Sequence, residues 1–191
     1  MFAVSFHIIL HYRGRGFDPD VSLFRWHISV VDGQPTNVGA LSTITLDSEL
    51  GWRATENYRS KDLKYSSDGS SYLASISQDE RGFRMFGKLS SAKPKVFVIG
   101  DSFTEATTAS DQQTYYAVLQ RLLDVEVFAY GGGGYGNLQE FMILDRYLDL
   151  IKPSLILWQF CTNDLINNSR ELETASAINN NGMVRPYWVN H

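Results

Sequence analysis

Three apolar runs constrain the second half of this chain more than any other feature: "PKVFVIG" (94–100), "VEVFAY" (125–130) and "SLILWQF" (154–160). Each has the length of a strand and no polar alternation, the pattern of a strand covered on both faces. Two helical periods separate them. "QQTYYAVLQRLL" (112–123) sets Tyr115, Tyr116, Leu119, Leu122 and Leu123 on one stripe. "NLQEFMILDRYLDLI" (137–151) gathers Leu138, Phe141, Met142, Ile143, Leu144 and Leu148 on another, and Lys152-Pro153 ends it because proline cannot continue a helix. Asn168, with Glu171 three residues on, reads as the cap of a further short helix. The alternation predicts an α/β fold, a parallel sheet with helices on both faces. Ligand chemistry in such sheets sits in the loops beyond the carboxyl ends of the strands.

Residues 1–92 give no sustained period and are read as an amino-terminal extension, with the α/β domain at 93–191. "FRWHISVV" (24–31) reads as a strand before the turn "DGQP", "SSDGSS" (66–71) as a loop and "RGFRMF" (81–86) as a short strand. A net charge of −4, with no basic stripe among the aromatics, argues against a nucleic-acid surface. Cys161 is the single cysteine, so neither an internal disulfide nor a thiolate zinc site can form. His7 and His11 are spaced i, i+4 but lack a carboxylate partner, so no metal is expected. The opening "MFAVSFHIIL" is too short to span a bilayer and lacks the basic start and cleavage site of a signal peptide. Either the chain is cytosolic or its true start lies elsewhere, and the compartment stays open.

The three strand ends carry "GDSFTEA", "GGGGYGN" and "CTND". Ser102 follows a buried strand and precedes a helix, a position that suits a nucleophile; Asp101 and Ser102 equally suit helix capping. "GDSFT" lacks the second glycine of the G-x-S-x-G elbow. Gly131, Gly133 and Gly136 have dinucleotide spacing, but the next strand ends in neutral Gln159 where a ribose-binding acid belongs. Backbone exposure remains: glycines let an N–H approach a reacting oxygen. Asn163-Asp164 is turn chemistry, or an amide aimed at the same oxyanion.

Taken in order, "FVIGDSFTEA", "VFAYGGGGYGNLQE" and "LILWQFCTND" resemble the first three sequence blocks of the SGNH/GDSL hydrolase family. Upstream, "LDSELGWR" and "ERGFR" resemble a segment that often precedes the Gly-Asp-Ser strand in bacterial members. The resemblance implies a flavodoxin-like, three-layer sheet with strand order 2-1-3-4-5. It also implies Ser102 as nucleophile, with its own N–H, the N–H of Gly134 and the side chain of Asn163 as oxyanion donors. Two departures are visible: Ala129 stands where asparagine is usual, and Cys161-Thr162 where a glycine is frequent.

The family's late Asp-x-x-His block is not found. The histidines are His7, His11, His27 and His191, and the residue three before His191 is Trp188. The expectation is a piece of a longer protein holding the first three strands, with "SLILWQF" left as an edge. The function expected is a serine ester hydrolase without cofactor or metal, weak as this fragment, acting on a small-molecule or carbohydrate ester. The alternatives are a carbohydrate O-acetyltransferase or deacetylase on the same scaffold, and a non-catalytic ligand-binding module. A nucleotide-binding oxidoreductase is disfavoured by the glycine context.

Overall fold

The computed structural model describes residues 43–176 and 185–188, with the backbone of 30–31 and 34–35. Strand β1 (Val30–Val31) pairs antiparallel with β2 (Gln34–Pro35). The rest of the expected strand at 24–31 lies outside the described residues. Hairpins follow from β3 (Ile44–Asp47) with β4 (Gly51–Ala54) and from β5 (Arg59–Tyr65) with β6 (Ser71–Ser77). Next come β7 (Met85–Phe86), β8 (Lys95–Gly100), β9 (Glu126–Gly131) and β10 (Leu155–Trp158). The helices are α1 (Ser102–Glu105), α2 (Tyr115–Leu123), α3 (Asn137–Ile151), α4 (Thr162–Asn167) and α5 (Arg170–Ala175).

The main sheet has the order β10-β8-β9-β7. β8 runs parallel to both β9 and β10, and β7 closes the far side antiparallel to β9. This is a mixed α/β sheet. Period-two alternation splits the side chains of β8 and β9 between its faces. Phe97, Ile99, Phe128 and Tyr130 pack with Ile143, Leu144 and Ile151 of α3 and with Leu50, Trp52, Ala54 and Phe83. Val96, Val98, Val127 and Ala129 pack with Tyr116 and Leu119 of α2. One core therefore runs across residue 92. Its centre is Phe83, whose ring lies 5.0 Å from Phe86, 5.1 Å from Tyr130 and 4.8 Å from Tyr147, each edge-on.

Helix α3 begins and ends where its sequence predicts. The Gly136 N–H is taken by Gln139 Oε1 at 3.2 Å, and Lys152 turns left-handed (φ 50°) before Pro153. Four expectations are corrected. The stripe on α2 buries Tyr116 and Ala117 but leaves Tyr115, Leu122 and Leu123 exposed. The apolar patch it covers is built by β8 and β9 and is filled by Tyr116 and Leu119 with Met85 and Val125 at its edge. On α3, Phe141 and Leu148 are likewise exposed, Phe141 stacking on Trp158 at 6.5 Å. The cap of α5 is Ser169, whose hydroxyl accepts from the Leu172 N–H at 3.3 Å. Asn168 instead turns its carbonyl oxygen to the Leu138 N–H.

The fourth correction is β10. It was expected as a buried strand, yet Leu155 is 52% exposed and Trp158 40% exposed. Among the described residues β10 has one strand partner, β8, so one side of its ladder stays open. The described residues 185–188, within the run "MVRPYWV", form no strand.

Phe83→Ala is expected to cost about 3–5 kcal/mol, the range for emptying an aromatic core site, measured by urea unfolding. The open edge of β10 is expected to drive self-association of residues 1–191 at tens of micromolar, seen by light scattering on a size-exclusion column. Ile156→Lys should shift that equilibrium toward monomer, and a wild-type chain that elutes as a stable monomer would count against an open edge.

Candidate functional site

Register decides what meets what. Gly100 pairs with Gly131, and Ile99 with Trp158, so three parallel strands deliver their carboxyl ends to one edge of the sheet. The segments bearing Ser102, Gly134 and Asn163 leave that edge together.

Ser102 is the first residue of α1 and its side chain is exposed. Asp101 before it is fully buried and caps the helix: one carboxylate oxygen accepts the Phe103 N–H at 2.9 Å. The other oxygen accepts from Asn163 Nδ2 at 3.4 Å, a long bond that ties the β10 loop to the β8 loop. The carboxyl end of α1 is held by Arg84, whose Nη1 donates to the Glu105 and Ala106 carbonyls. That cation meets the negative end of the helix, the favourable sign.

The glycine loop packs directly on α1. A Cβ at Gly131 would collide with the backbone nitrogen of Glu105. The Glu105 carboxyl lies against Gly133, and burial pushes it up while Thr43 and Arg84 pull it back. The Gly133 carbonyl accepts Trp52 Nε1 at 2.9 Å. Gly134 sits at φ +73°, a left-handed conformation that favours glycine, and its carbonyl accepts from Asn167 Nδ2 at 3.1 Å and Arg185 Nη1 at 2.7 Å. The Gly134 N–H itself has no acceptor among the described residues.

Two further buried carboxylates stand beside Asp101. Glu140 of α3 accepts Trp158 Nε1 at 2.6 Å and Asn137 Nδ2 at 2.9 Å. Asp164 of α4 accepts the Cys161 N–H at 2.7 Å, and the same Asn137 amide reaches it at 3.3 Å. Burial pushes Glu140 up to about 7, helped by Asp164 and Asp101, and pushes Asp164 up to about 6, helped by Asp101. Glu140 Oε1 and Asp164 Oδ1 are buried without a partner among the described residues. No group of three or more His, Cys, Asp or Glu among the described residues is arranged to hold a metal ion. No described helix is long and apolar enough to cross a membrane.

Ser102, Gly134 and Asn163, picked from sequence, thus lie just past neighbouring strand ends, Ser102 opening α1, Gly134 in the glycine loop and Asn163 in the first turn of α4. Sequence reasoning missed Trp52, Asn137, Glu140, Asn167 and Arg185. Glu140 alone left a signal, a charge inside an otherwise apolar helical stretch near a strand end. All four histidines lie outside the described residues.

Both raised carboxyls make stability depend on pH. The folded protein keeps a proton on Glu140 that the unfolded chain releases near its ordinary 4.5, so stability falls as pH rises from about 4.5 through about 7. Glu140→Gln is expected to stabilise the protein at pH 8 by on the order of 2 kcal/mol and to change little at pH 4, measured by urea unfolding at both values.

A family model described as GDSL-like Lipase/Acylhydrolase matches residues 96–185, from β8 through the Arg185 clamp. No curated protein matches the chain.

Proposed function

We propose that the chain acts on esters through a serine acyl-enzyme, a reading supported by the match of residues 96–185 to the GDSL-like lipase and acylhydrolase model. Ser102 Oγ attacks the ester carbonyl carbon, its proton passes to a base, and the carbonyl oxygen becomes an oxyanion. That oxyanion is held by the N–H groups of Ser102 and Gly134 and by Asn163 Nδ2. Collapse expels the alcohol, which takes up the proton. Water then cleaves the serine ester by the reverse sequence and releases the acid.

One observation carries this reading. Asp101 both caps the helix that begins at Ser102 and receives the Asn163 amide, while the Gly134 N–H on the same sheet edge is left without an acceptor among the described residues. Residues with no functional task would more readily bond their donors to each other. The flavodoxin-like, three-layer arrangement belongs to the same reading, supported by α3 against Phe97 and Ile99 and α2 against Val96 and Val98. A small-molecule or carbohydrate ester is the substrate class, and a carbohydrate acetyl group moved to or from a sugar hydroxyl needs no different machinery.

The sequence holds no histidine with aspartate three residues before it, so turnover by residues 1–191 is expected to be slow. An aryl fluorophosphonate should still label the chain at Ser102, read by peptide mass. Ser102→Ala should abolish labelling, and Asn163→Ala should slow it about 10²–10³-fold, the cost of one oxyanion donor. Labelling that survives Ser102→Ala would remove the nucleophile assignment and leave the ligand-binding module as the better reading.

A further inference from the structure

We infer that Trp52 is a positioning residue for the Gly134 oxyanion donor, an inference that rests on the serine-hydrolase reading above. The N–H of Gly134 and the carbonyl of Gly133 belong to one peptide unit, and the described chain contains no cis peptide. In a trans peptide these two groups point in opposite directions, so whatever fixes the carbonyl aims the N–H. Trp52 Nε1 donates to that carbonyl at 2.9 Å.

The peptide needs an external hold because glycine flanks it on both sides. A Cβ at Gly133 would press on Glu105 Oε2 and force that side chain to shift, and Gly134 adopts φ +73°. Neither residue has a side chain to resist rotation of the plane between them. A flip would turn the N–H away from the site and present the Gly133 carbonyl in its place, opposing an oxyanion. The unit that follows is already fixed, its Gly134 carbonyl held by Asn167 and Arg185. Trp52 completes the set.

Trp52 is in turn immobilised. It is 1% exposed, its carbonyl accepts the Tyr135 hydroxyl at 2.8 Å, and the Arg185 guanidinium lies 4.7 Å over its ring. Arg185 is fully buried with Glu173 Oε2 3.1 Å from its Nε, and Tyr187 donates to that same oxygen at 2.9 Å. An indole donor held between a buried ion pair and a core tyrosine has little freedom to follow a flipping peptide.

The test uses the full chain and an aryl fluorophosphonate, with labelling of Ser102 followed over time at several probe concentrations. Trp52→Phe keeps an aromatic ring in the site and deletes the indole donor together with part of the ring volume. It is expected to lower the limiting labelling rate about tenfold to a hundredfold with the half-saturating probe concentration unchanged. A purely structural loss would instead lower the unfolding midpoint and leave that rate intact in the folded fraction. Should Trp52→Phe fail to unfold cooperatively in urea, 3-benzothienylalanine at position 52, with sulfur in place of the N–H, decides by the same criterion. An undiminished limiting rate in a folded variant overturns the inference while the serine reading stands. Failure of the wild-type chain to label at Ser102 overturns both.

Discussion

A backbone stretch with almost no side chains, residues 131–136, has been drawn largely into the interior, where each polar group left without a partner is costly. Most of the surrounding structure meets that demand. Gly132 donates to the Gly100 carbonyl at 3.2 Å, Tyr135 to the Gly132 carbonyl at 3.0 Å, and Asn167 reaches both the Gly134 and Tyr135 carbonyls. The amino-terminal hairpin β3–β4 supplies Trp52, and Gln139 Nε2 returns a bond to the Leu50 carbonyl at 2.8 Å. Hairpin, sheet, α1, α4 and the segment at 185–188 are thus held in one place by a common object, and the candidate site inherits its rigidity from them.

What was legible in the sequence was what local chemistry decides. The bounds of α3 follow from Gly136 at one end and Lys152-Pro153 at the other, and β8 and β9 are apolar at every position their neighbours require. Burial is decided by whatever lies opposite, so "LILW" reads as a core strand and nonetheless lies half open. Hairpin β5–β6 escaped notice for the converse reason. "RSKDLKY" is polar, its exposed Leu63 and Tyr65 break any alternation, and its partner "SYLASIS" identifies it only through pairing. At the site, Ser102, Gly134 and Asn163 could be picked because strand ends collect chemistry. Trp52 could not, because the link from an indole to a glycine carbonyl 81 residues away leaves no pattern along the chain.

A second junction ties the peripheral hairpin to this body. Arg84, with its side chain fully buried, extends from beside β7 to the carbonyl end of α1 and pairs with Asp111 at 3.0 Å. Asp111 also accepts the Ser77 N–H at 3.0 Å and the Ser77 hydroxyl at 2.6 Å. The buried guanidinium satisfies several carbonyls and one carboxylate at once, the condition under which burying a charge is tolerated. Tyr72 adds a bond to the Thr108 carbonyl at 2.9 Å, so the polar hairpin is attached through hydrogen bonds more than through apolar contact.

The long reach of the β3–β4 hairpin also orders events in time. Its bonds to β9, the glycine loop and α3 span 76 to 89 residues, linking Ala54 to Tyr130, Trp52 to Gly133 and Leu50 to Gln139. On a ribosome the hairpin emerges first and finds no surface to bury Leu50 and Trp52 until α3 has been synthesised, at roughly 5–20 residues per second. Closing so large a loop is entropically slow, and an isolated two-stranded hairpin is marginal in water. For several seconds, then, the nascent chain carries exposed apolar side chains with no partner yet made, and chaperone demand should be greatest in that interval, before β9 and α3 close over them.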